Sequence, residues 1–98
     1  MIHIDKHQLD IVRQILGKQI PNKKVVAFGS RVRGDFKANS DLDLCVIDKD
    51  SLSLSDMGRL REAFSNSDLP MKVDIVEWQS INNDFQKIIN VCCEKISI

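Results

Sequence analysis

Leu9, Val12 and Leu16, with Ile11 and Ile15 beside them, recur at helical spacing after Asp5 and predict an amphipathic helix over residues 5 to 17, stopped by Gly17, Pro21 and Asn22. The run Val25-Val26-Ala27-Phe28 then reads as a buried strand that enters a turn at Gly29-Ser30 and a short helix. A second strand is expected over residues 41 to 47. Leu54, Met57, Leu60, Arg61 and Phe64 place a helix over residues 55 to 66, with Ser55 as its cap and Asn66, Ser67 and Pro70 as breakers. The segment MKVDIVEW, residues 71 to 78, alternates around β-branched residues and reads as a third strand. Asn82 caps a last helix whose stripe runs through Phe85, Ile88, Ile89, Cys92, Cys93 and Ile96. Helices alternating with strands predict a small α/β (α+β) fold, one sheet covered by helices.

Composition narrows the class. A chain of 98 residues leaves room for one domain, residues 1–98, and 43% hydrophobic with 29% charged residues is ordinary for a globular protein. The formal charge of +0 argues against affinity built on neutralising nucleic-acid phosphates. That zero is nonetheless divided: residues 1–37 carry eight basic and three acidic side chains, and residues 38–98 carry six and eleven. A basic half beside an acidic half suits a site that holds metal cations and a polyphosphate together. Cys45, Cys92 and Cys93 lack metal-ligand spacing and sit among apolar residues, so they read as small hydrophobes in a reducing, cytoplasmic compartment. The first ten residues, MIHIDKHQLD, lack the basic flank and apolar run of a signal peptide, and no stretch approaches a membrane span.

The chemistry concentrates in residues 29–44, GSRVRGDFKANSDLDL. A strand ending in Gly-Ser and turning into a helix presents free backbone N–H groups, which suits a phosphate. Gly29 permits close approach, Ser30 adds a hydroxyl, and Arg31 and Arg33 supply positive charge for a polyphosphate. Asp41 and Asp43, two apart on the next strand, project from one face while Leu42 and Leu44 turn to the core. Two carboxylates so placed repel each other, and a hard cation such as Mg²⁺, with phosphate as co-ligand, relieves them. Asp74 interrupts the apolar third strand; if strands two and three are neighbours, it joins the pair in a triad able to hold two metal ions for phosphoryl transfer.

With Gly29-Ser30, Asp41-Leu42-Asp43 and Asp74 in place, and Arg31, Arg33, Gly34 and Ser40 also matching, nearly the whole chain resembles the minimal nucleotidyltransferase (MNT) domains of the DNA polymerase beta-like superfamily. The resemblance implies the nucleotidyltransferase fold, a mixed three-stranded sheet flanked by helices. It also implies Mg²⁺ or Mn²⁺ on the three aspartates as catalytic and metal-binding residues, and ATP at the Gly-Ser turn. Members move a nucleoside monophosphate from an NTP to a hydroxyl and release pyrophosphate. Stand-alone domains of this length resemble toxin-antitoxin partners of HEPN-domain proteins, whose MNT chain adenylylates the partner.

Three readings follow: an adenylyltransferase acting on a hydroxyl of a HEPN-type partner, a nucleotide-binding module that neutralises its partner by contact, and a small-molecule nucleotidyltransferase completed by a second subunit. Three aspartates in place favour the enzyme. His3 and His7 read as solvated or capping residues and Trp78 as an aromatic anchor.

Overall fold

The computed structural model describes residues 1–98 as four helices on a four-stranded sheet. In chain order these are α1 (Lys6–Gln19), β1 (Lys24–Phe28), α2 (Ser30–Arg33), β2 (Leu42–Ile47), α3 (Leu54–Ser65), β3 (Val73–Glu77), α4 (Asn83–Val91) and β4 (Cys93–Lys95). The sheet order is β3-β2-β1-β4. β1 pairs antiparallel with β2 and β4, whereas β2 and β3 run parallel, with α3 as the crossover a parallel pair requires.

Two apolar layers flank the sheet. Val25, Ala27, Leu42, Leu44, Val46 and Ile75 meet Val12 and Leu16 of α1 and Met57, Leu60 and Phe64 of α3 in the larger core. The opposite face carries a smaller cluster, Val26, Phe28, Cys45 and Ile89, with Val76, Trp78 and Phe85 packed on it. Trp78 is thus the aromatic anchor expected.

Local chemistry sets the helix ends. Asp5 caps α1 in a reciprocal box with Gln8, whose backbone N–H donates to the Asp5 carboxylate at 2.8 Å. Gly17 does not end this helix: Ile98 packs within 3.2 Å of where its side chain would start, and α1 runs on until Ile20, just before Pro21. Ser53 rather than Ser55 caps α3, accepting from the Asp56 N–H at 3.0 Å. Asn82 caps α4 as expected, at 2.8 Å from the Phe85 N–H.

The largest correction concerns the chain after α4. The expected sheet had three strands and a helix reaching Ile96, but the helix ends at Val91 and Cys93–Lys95 forms a fourth strand against β1. The physical reason is the open edge of β1: Cys92 is extended, at φ −148° and ψ 99°, and the Ile96 N–H then reaches the Val25 carbonyl at 2.9 Å. Backbone groups of β1 that a helix would leave unpaired are satisfied this way.

Candidate active site

β1 delivers its last residue, Phe28, to a turn that only glycine permits. Gly29 sits at φ +80°, a region L side chains rarely adopt, and a Cβ there would collide with the Asp43 carboxylate. The missing side chain is therefore what lets the acidic strand lie directly beside the turn. Val32 and Arg33 both donate to the Gly29 carbonyl, and Gly34 donates to that of Ser30. The N–H groups of Ser30 and Arg31 are left without a helical acceptor, as first-turn amides must be.

Asp41 and Asp43 flank Leu42, which is fully buried together with Leu44, so both carboxylates lie on the α4 side of the sheet. Across the parallel ladder Asp43 stands opposite Asp74, and across the antiparallel one it stands opposite Phe28. Strands two and three are therefore neighbours, the condition on which Asp74 joins the pair. Burial of the Asp43 carboxyl, then the charge of Asp74, then that of Asp41 push its pKa up to about 6 against a partial offset from Arg33. Asp43 is the carboxylate most in need of a cation.

The donor chemistry fits a hard divalent ion: carboxylate oxygens only, mutually repelling, beside a turn with free amides. As the side chains stand, no three His, Cys, Asp or Glu groups converge closely enough to share one ion.

The two arginines part company. Arg31 is the one buried charged residue, and its guanidinium donates to the backbone carbonyls of Ser40 at 3.0 Å, His3 at 3.1 Å and Ala38 at 3.3 Å. It stacks over Phe36, 5.2 Å from the ring centroid, and Phe36 in turn stacks on His3 at 5.3 Å. Arg31 thus pins the loop that leads into Asp41, and His3 belongs to this knot instead of being solvated. Arg33 stays exposed, held only by Asp35 at 3.3 Å.

Beside Gly29 lies a pocket of about 210 Å³, lined by Phe28, Arg33, Ile88, Val91 and Cys92. Sequence reasoning assigned none of these apolar residues to nucleotide or metal binding, although the long stripe of the last helix suggested a partner-docking surface bordering the aspartates. The available signal was Phe28 abutting the Gly-Ser turn, with α4 carrying more apolar positions than one buried face needs.

The model of the nucleotidyltransferase domain family matches residues 9–96, taking in the turn and all three aspartates. The chain belongs to this family. It is 46% identical over 88 residues to a probable protein adenylyltransferase MntA of Haemophilus influenzae, covering 90% of this chain and 77% of that protein. The same fold recurs in a toxin-antitoxin crystal structure with AMP-PNP, at TM-score 0.75 and 23% identity, over 91% of this chain and 72% of that one. It recurs again in the complex of a tri-AMPylated HEPN toxin with its MNT antitoxin from Shewanella oneidensis, at TM-score 0.70 and 19% identity, over 96% and 72% of the two chains. No helix is long and apolar enough to cross a membrane.

Proposed function

We propose that this chain transfers an AMP group from ATP to a side-chain hydroxyl of a HEPN-type partner protein. The observation that carries the reading is the register: Asp43 opposite Asp74, Asp41 two residues away on the same face, and the Gly29 turn packed against Asp43. Its support in kind is the similarity to a protein adenylyltransferase.

In this reading the free amides of Ser30 and Arg31, with the Ser30 hydroxyl, hold the triphosphate. Exposed Arg33 folds over it as a mobile cation, while Arg31 holds the loop that presents Asp41. Asp41, Asp43 and Asp74 would hold Mg²⁺ or Mn²⁺, which when bound neutralises charge on the phosphates and acidifies the attacking hydroxyl. The acceptor oxygen attacks the α-phosphorus in line, the bond to the β-phosphate bridging oxygen breaks, and pyrophosphate departs. Asp74, exposed at the sheet edge, takes the hydroxyl proton. Free thiols at Cys45, Cys92 and Cys93 fit a reducing compartment such as the cytoplasm.

The test is intact mass spectrometry of a co-expressed HEPN-type protein that forms a complex with this chain, after incubation with ATP and Mg²⁺. Its mass should rise by one or more AMP units, and the increase should vanish with Asp43→Asn. A partner that forms the complex but never gains mass would make this a module acting by contact.

A further inference from the structure

β3 is an outer strand of the sheet, and its unpaired side opens into the largest depression on the molecule, about 490 Å³. The floor is apolar, from Phe64, Met71 and Ile75 of the main core; the rim carries Arg61 and Lys72, exposed and in no ion pair; and the strand brings Asp74 to the same depression. The Leu42 N–H donates to the Lys72 carbonyl at 2.9 Å. By the alternation of a parallel ladder, this turns the N–H and C=O groups of Val73, Ile75 and Glu77 outward. An edge with free backbone groups above an apolar floor is a template for an added strand.

Resting on the transfer reading above, we infer that this edge receives the acceptor: an extended segment of the HEPN-type partner pairs with β3 and carries its hydroxyl on the residue opposite Asp74. Directly opposed residues of a ladder share a face, so that hydroxyl lies on the carboxylate side of the sheet, next to Asp74 and one strand from Asp43. In an antiparallel addition this is the closer, non-hydrogen-bonded kind of pair, with Cα atoms about 4.5 Å apart. The residues on either side of the hydroxyl point the other way, over Phe64 and Ile75, and must be apolar. Arg61 and Lys72 select acidic side chains near that core of three. The recognised segment is thus an apolar-hydroxyl-apolar stretch with acidic neighbours, read by backbone pairing and two cations.

Amide exchange by NMR on the labelled chain, alone and in complex with the co-expressed partner, reads the pairing without needing catalysis. The Val73, Ile75 and Glu77 amides should exchange at least tenfold more slowly in the complex. In steady-state transfer, Arg61→Glu with Lys72→Glu should raise KM for the partner at least tenfold while ATP binding holds, and Arg61→Lys with Lys72→Arg should restore it. Val73→Pro, at the first residue of an edge strand where a ring is tolerated, should raise the same KM by removing one outward N–H. Unchanged exchange at the three amides, or an unchanged KM in the charge-reversed protein, overturns the inference even if AMP is transferred. A complex that slows these amides yet transfers no AMP overturns the transfer reading instead.

Discussion

Asp43 illustrates how one side chain couples stability to function. Its carboxyl titrates near 6 in the folded chain against 3.8 as an ordinary value, so the folded state holds its proton more tightly. Stability from this group is therefore full below about pH 4 and is lost as pH rises through about 6. Asp43→Asn should raise the melting temperature in chelator at pH 7.5, and the gain should disappear by pH 4; parallel melting curves at the two pH values check it. Transfer by the same variant should fall by orders of magnitude. Arg31 acts in the opposite sense. Replacing it with Met leaves the carbonyls of His3, Ala38 and Ser40 without a donor in a half-buried place, at a cost of about 2–4 kcal/mol, readable by urea denaturation. The sequence does not distinguish Arg31 from Arg33, since both lie in one short helix beside the same turn. Only the path of residues 35 to 40, folded back over Arg31, separates a structural cation from a mobile one. The aspartates were legible because strand alternation alone places Asp41 and Asp43 together.

Among the elements, α4 sorts its apolar residues sharply. Ile89 is 1% exposed under the sheet, whereas its neighbour Ile88 is 63% and Val91 86% exposed. Ile89→Ala should cost about 2–4 kcal/mol, and Val91→Ser should change stability by less than about 0.5 kcal/mol, both checked by thermal melts. A helical stripe drawn through Ile88, Cys92 and Ile96 does not foresee this split. Past Val91 the more buried residues Cys92, Glu94 and Ile96 alternate with exposed Cys93 and Lys95, the two-residue period of β4, but over so few positions both periods fit. Length was the weak point: three residues form β4, and its strand character comes from the edge of β1 rather than from its own composition. α1, α3, β2 and β3, each with several turns or alternations of pattern, and β1, an unbroken apolar run ending at Gly29, were legible to within a few residues of their ends.

At the scale of the molecule, the basic first third and acidic remainder meet at the Gly29 turn, where Arg33 offsets the charge around Asp43, and again in the Lys23–Asp48 ion pair at 3.0 Å. A divalent cation that binds only the folded chain stabilises it by mass action, about 2.7 kcal/mol at a hundred times the dissociation constant. Millimolar Mg²⁺ or Mn²⁺ should therefore raise the melting temperature relative to chelator, and Asp41→Asn combined with Asp74→Asn should abolish the increase in a thermal shift measurement.

The pairing of β4 with β1 also dictates an order of events during synthesis. β1 and β2 can associate once the chain has passed Ile47, and β3 can join after the α3 crossover, so the turn and the three aspartates come together before any residue past Glu77 is needed. β4, which follows the other three strands in the chain, is the one that closes the edge of the first. Until α4 and β4 have emerged from the ribosome, β1 remains an open template, and Phe28 lacks the cover of α4. A nascent chain stalled before residue 83 is thus an acidic site with a sticky margin, prone to pair with a neighbouring copy, and translation speed through the codons for residues 83–96 governs how long that exposure lasts.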